Sequence, residues 1–171
     1  MEMEYDAGII YSQEYFKIEQ YDDVKAVYDK VAKASVNAFE KHLMDWTKGN
    51  LIGRTQDDSL STYYPRRRPS DGKLDFSKPA EDEYNAIRGQ ARPYPGAFLN
   101  YKCNGKNQKI YIWKAGIGSD RRSGEFSVTC GDGKELILRR VQMEGNPEMW
   151  AEDFFRENHR IEDYIKKVAK R

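Results

Sequence analysis

Residues 97–141, AFLNYKCNGKNQKIYIWKAGIGSDRRSGEFSVTCGDGKELILRRV, carry the fold. Four short runs stand out: Ala97–Tyr101, Ile110–Trp113, Phe126–Thr129 and Leu136–Val141. Ile110–Trp113 alternates with the two-residue period of a half-buried strand. Asn104-Gly105, Gly116, Gly118 and Gly131-Asp132-Gly133 punctuate the runs, and glycines of this kind mark tight turns. Several short strands joined by glycine-rich turns predict a small β-barrel. The Gly131-Asp132-Gly133 triplet is a hairpin turn rather than a phosphate loop, since neither G-x-G-x-x-G nor a Walker lysine follows.

On the N-terminal side, Pro79–Ala91 reads as a short helix with Pro near its first turn and Ala80, Tyr84, Ile87 and Ala91 on one face. Arg92-Pro93-Tyr94-Pro95-Gly96 stops it. Residues 51–79 are rich in Ser, Thr, Asp, Arg and Pro and predict a linker, with Tyr63, Tyr64, Leu74 and Phe76 pinning it to a surface. Further back, Val24, Val27, Tyr28, Val31, Ala38, Phe39 and Leu43 follow helical spacing. They predict an amphipathic helix of about six turns over roughly 22–46, ended at Lys48-Gly49-Asn50. The first 20 residues predict a strand and a connection. Beyond the β region, a helical stretch begins at Pro147, and Ile161, Tyr164, Ile165 and Val168 form one stripe in the tail.

Composition narrows the classes. The 171 residues carry 29 Lys+Arg against 28 Asp+Glu, a net charge of +1, so a strongly basic nucleic-acid module is not indicated. Aromatics at 13% offset a mean hydropathy of −0.91 and argue against disorder. No stretch approaches the ~20 apolar residues of a membrane span. The acidic, polar start MEMEYDAGIIYSQ is no signal peptide. Cys103 and Cys130 lack C-x-x-C spacing and fit reduced thiols of the cytoplasm. With His42 and His159 the only histidines, no metal site built on several histidines is expected.

Four stretches in order resemble one family. They are Tyr5-Asp6-Ala7-Gly8-Ile9-Ile10; Asp23-Val24-Lys25-Ala26-Val27-Tyr28-Asp29-Lys30; Thr62–Phe76 with Ile87-Arg88 and Pro93-Tyr94-Pro95-Gly96-Ala97; and Leu138–Met149 with Asp153-Phe154. Together they resemble the formyltransferases that use 10-formyltetrahydrofolate, among them the methionyl-tRNA and amino-sugar enzymes. The family's Asn-x-His pair and Ser-Leu-Leu-Pro segment do not occur in this sequence. The resemblance therefore implies the last part of such an enzyme, without its Rossmann-like folate-binding half.

That resemblance implies an α+β chain. Residues 1–50 would be the C-terminal part of an α/β catalytic domain, 51–78 the linker, 79–158 an OB-like β-barrel C-terminal domain and 159–171 a helical tail. It implies formyl transfer from 10-formyltetrahydrofolate, bound mainly by the upstream half, to a primary amine on methionyl-tRNA or a nucleotide-linked sugar. The chain alone is then expected to be inactive, and its partners to be its own N-terminal half or a second copy, with no membrane. Asp6 matches the family's catalytic Asp, which tunes a histidine. Without that frame, an Asp before Ala-Gly reads as a turn former. Arg66, Arg67, Arg68 and Lys73 form the densest basic cluster and suit phosphate on either acceptor. The same arginines also suit a solvated surface beside Asp57, Asp58 and Asp71. An alternative is a non-catalytic nucleic-acid-binding barrel, with Lys102, Lys106, Lys109 and Lys114 interleaved with Tyr101, Tyr111 and Trp113.

Overall fold

The computed structural model describes residues 6–50, 52–103, 105–118 and 125–169. They fall into two units: residues 1–22 with 26–66, and residues 23–25 with 67–171. Tyr5 and Asn104, and the last two residues of the tail, lie outside the described residues.

The first unit is dominated by α1 (Val24–Thr47). The apolar spacing that predicts this helix is present, yet no α1 residue is buried. Tyr28, Val31, Phe39, Leu43 and Trp46 all remain exposed, with Phe39 and Trp46 meeting edge to face at 4.9 Å. Residues 14–22 are tied to the unit by polar contacts: Lys41 Nζ meets Glu14 Oε1 at 3.0 Å, and Lys30 pairs with Asp22 and donates to the Lys17 carbonyl. Among the described residues, the expected N-terminal strand is reduced to one antiparallel bridge, Ile10 with Arg54.

The second unit holds the core. Strands β1 (Ala97–Cys103), β2 (Lys106–Ile117), β3 (Phe126–Thr129), β4 (Glu135–Met143) and β5 (Met149–Trp150) form an antiparallel sheet in the order β1-β2-β4-β3, with β5 also on β4. The expected OB-like barrel differs from this pairing, which among the described residues is an open path. Four-residue β3 and two-residue β5 share one edge of β4 in tandem, and the outer edge of β1 is met by Leu74, whose N–H donates to the Phe98 carbonyl at 2.8 Å.

Helices α2 (Ala80–Gly89), α3 (Ala151–Glu157) and α4 (His159–Ala169) supply the other side of the core. Tyr84 and Ile87, Phe154 and Phe155, and Ile161 and Ile165 are buried in one cluster with Ile110, Ile112, Leu136, Leu138 and Val141. The C-terminal helical stretch is split at Asn158, whose side-chain amide donates to the Phe154 carbonyl at 2.8 Å. Leu74 and Phe76 are buried as the sequence predicts, but Tyr63 and Tyr64 are 91% and 87% exposed. The bond from Leu74 to β1 anchors the chain, and both tyrosines precede that anchor.

Turn Cys130–Lys134 joins β3 to β4 and docks on the start of α2. Asp132 Oδ1 accepts from the Ala80 and Lys134 N–H groups, both at 3.2 Å, and Gly131 N donates to the Lys78 carbonyl. A Cβ on Gly131 would lie 1.8 Å from the Ser77 carbonyl oxygen, so the turn closes only with glycine there.

Candidate functional site

Asp6 sits on an exposed loop of the first unit with φ +59°, a left-handed conformation that Asp tolerates better than most residues. The loop is held from a distant stretch of chain. Gln56 Nε2 donates to the carbonyls of Asp6 and Gly8, both at 2.7 Å. Ile10 and Arg54 exchange backbone hydrogen bonds of 2.9 and 3.0 Å. Gly53 is the close-approach residue, because a Cβ there would lie 2.0 Å from Ile9 Cγ2. These contacts fix the backbone around Asp6 and leave its carboxylate facing solvent.

Arg66, Arg67 and Arg68 are all exposed. Arg66 ends the first unit, and Arg67 and Arg68 begin the second. Arg68 N donates to Asp71 Oδ2 at 2.7 Å, which closes a short 3-10 turn at Pro69–Gly72. Lys73 follows that turn, bridges to Phe98 in a parallel register, and lines an open cleft with Lys78. Within the second unit, then, Lys73 keeps company with Lys78, a lysine that the sequence does not single out.

The aromatic and basic residues of the sheet form a closed arrangement. Tyr111 and Trp113 stack at 5.7 Å, and Phe98 meets Tyr111 edge to face at 6.2 Å. Lys109 Nζ lies 4.5 Å over Phe98, and the Arg92 guanidinium lies 4.0 Å over Trp113. A cation of the chain itself therefore lies over Trp113, one of the rings that the sequence interleaves with lysines. Glu148 joins this cluster, meeting Arg92 and Arg140 at 2.7 Å each, while Arg140 covers Trp150 at 4.9 Å. Burial works against the Glu148 charge, but the hydrogen bonds from Arg140 and Arg92 outweigh it and hold the carboxyl below its usual range.

Sequence reasoning missed Gln56, Gly53 and Glu148. Gln56 reaches carbonyls 48 and 50 residues away, and Glu148 pairs with Arg92 across 56. No local pattern encodes separations of that size.

The description of the formyl transferase C-terminal domain matches residues 67–159, more than half of the chain. The chain belongs to the formyl transferase family through that domain. Among solved structures it is similar to HypX from Aquifex aeolicus, with a TM-score of 0.66 at 15% identity, covering 92% of this chain and 29% of HypX. It is also similar to the N-formyltransferase from Helicobacter canadensis, solved in complex with folinic acid and dTDP-3-aminofucose. There the TM-score is 0.60 at 19% identity, covering 78% of this chain and 50% of that protein. At these identities the likeness is one of fold, and the chain spans half or less of the proteins it matches. No described helix is long and apolar enough to cross a membrane.

Proposed function

We propose that the chain is the C-terminal part of a cytoplasmic formyltransferase that moves a formyl group from 10-formyltetrahydrofolate to a primary amine on methionyl-tRNA or a nucleotide-linked sugar. The observation that carries this reading is the family match over residues 67–159. The exposed apolar stripe of α1 supports it, because a helix patterned for burial and left unburied suits an end piece of an α/β catalytic domain whose remainder covers it. In this reading residues 1–50 belong to that catalytic domain, and residues 79–158 form the OB-like domain in its open-sheet form.

The amine nitrogen attacks the formyl carbon of the donor, the bond from that carbon to N10 of the folate breaks as the tetrahedral intermediate collapses, and the proton lost by the amine is delivered to N10 of the departing tetrahydrofolate. Asp6 is the carboxylate that fixes the tautomer of a histidine on the upstream half and favours its charged form. Its exposed position on a backbone pinned by Gln56 suits that task. The folate is held by the upstream half. Arg66, Arg67, Arg68 and Lys73 meet phosphate on the acceptor.

The test mixes this chain with the purified upstream half and assays both acceptors in parallel. The chain alone is expected to be silent and the mixture active on one acceptor. Asp6→Asn in the mixture is expected to lower kcat by about a hundredfold or more while the halves still associate. Silence on both acceptors from associated halves overturns the reading.

A further inference from the structure

Where the pairing of Leu74 to β1 ends, the second unit opens a cleft of about 650 Å³ between residues 73–78, β1 and α4. This volume falls in the range of sites for small organic ligands. Leu74 and Leu99, both buried in the core, back the cleft from behind. Tyr164 of α4 forms a wall, and its hydroxyl donates to the Asn100 carbonyl at 2.7 Å, which fixes α4 to the outer edge of β1. The ring of Tyr164 is further set edge to face on Tyr101 at 5.2 Å. The wall is therefore held in place before any ligand arrives.

Lys73 and Lys78 bring two ammonium groups to the same cleft. The carboxylate there, Asp75, is engaged by its neighbour: Oδ1 accepts from the Ser77 N–H at 3.1 Å and the Ser77 hydroxyl at 2.7 Å. Two cations outnumber the one anion, Asp75, on whose charge both act, beside a fixed aromatic wall and over a base backed by the core. That combination recognises an anion with an apolar body. Ammonium groups on flexible stems suit phosphate as point charges, and the volume suits a body of nucleoside size.

We propose that this cleft binds a phosphorylated small molecule of nucleotide size through Lys73 and Lys78. The proposal shares Lys73 with the acceptor-phosphate contact proposed above, but its test reads binding by the chain alone rather than formyl transfer.

The test titrates ADP, adenosine and pyrophosphate separately into the full 171-residue chain, followed by amide chemical shifts and calorimetry. ADP is expected to shift the amides of residues 73–78 and 99–100. Its affinity is expected to fall about tenfold in the double variant Lys73→Ala, Lys78→Ala, and to fall with added salt. Adenosine and pyrophosphate, each offering half of the recognition, are expected to bind more weakly than ADP. Val168→Trp, which places bulk into the cleft from α4, is expected to abolish the shifts while leaving the spectrum of the core intact. Absence of ADP binding to the native chain overturns the proposal. So does binding that both variants leave unchanged, or shifts confined to other parts of the chain.

Discussion

Glu83 and Glu148 are partly or wholly buried carboxylates with opposite consequences for folding. Glu83 is almost fully buried and accepts the Asp75 N–H at 2.9 Å. Burial pushes its pKa up, and the Asp75 N–H and the nearby Lys78 offset this only in part. The folded state then holds a proton more tightly than the unfolded state, so stability falls as pH rises from the ordinary carboxyl range through the raised value. Glu83→Gln keeps an acceptor for Asp75 and removes the buried charge. It is expected to add on the order of 1 kcal/mol at pH 7, with the gain vanishing near pH 4, as read from urea melts across that range. A loss at pH 7 that disappears near pH 4 would show instead that the charge itself is needed. Glu148 has the reverse sign. Its lowered pKa means its stabilisation is present above the ordinary carboxyl range and is lost as pH falls through the folded value. Glu148→Gln is expected to cost about 1 kcal/mol at pH 7, a modest figure because Arg92 is more than half exposed, and nothing in strong acid.

At the scale of elements, the turn after β3 shows what the sequence reveals and what it hides. Gly131-Asp132-Gly133 is legible as a turn from its residue types alone, as are the strands on either side and the 3.6-residue stripe of α1. That the turn caps α2, a helix the sequence does show, is not legible, because Ala80 precedes Asp132 by 52 residues. That the sheet is an open path is likewise beyond local pattern: strand runs specify alternation, but an open or closed edge depends on what reaches β1, and among the described residues Leu74 pairs there. The loop around Asp6 depends in the same way on Gln56, a residue with no local signature. Because a Cβ at position 131 would lie 1.8 Å from Ser77 O, Gly131→Ala must push backbone apart. It is expected to cost about 2–3 kcal/mol, against the small effect of an ordinary surface change. The turn also shields Cys130. Burial, with the charges of Asp132, Glu83 and Glu135, raises its thiol to about 12. In a Cys103→Ser background, Cys130 is expected to resist alkylation at pH 8 until the protein is unfolded. Rapid labelling of the folded protein would contradict the burial.

Across the whole molecule the apolar surface is divided unevenly. The second unit carries the cluster from Leu74 to Ile165, while α1, at 24 residues the longest element, buries none of its residues. Helices draw most of their stability from packing an apolar face, and a helix without such packing is marginal in water. Stability should therefore be graded across the chain. Amide exchange is expected to be slow in β2 and β4, where Ile110, Ile112, Leu136 and Leu138 are buried, and far faster throughout α1. Phe155→Ala, which empties a buried site against Phe126 and Phe154, is expected to cost about 3–5 kcal/mol and to speed exchange in the sheet. It should leave α1 exchange almost unchanged, because no α1 residue is buried. Protection of α1 is the discriminating measurement for the enzyme reading. Addition of the upstream half is expected to slow α1 exchange by at least an order of magnitude, as burial of the Val31, Phe39 and Leu43 stripe would require. If α1 is already as protected as β4 in the chain alone, and dilution removes that protection, a second copy covers the stripe. If neither dilution nor the upstream half changes its exchange, α1 is not the surface through which a catalytic domain is completed.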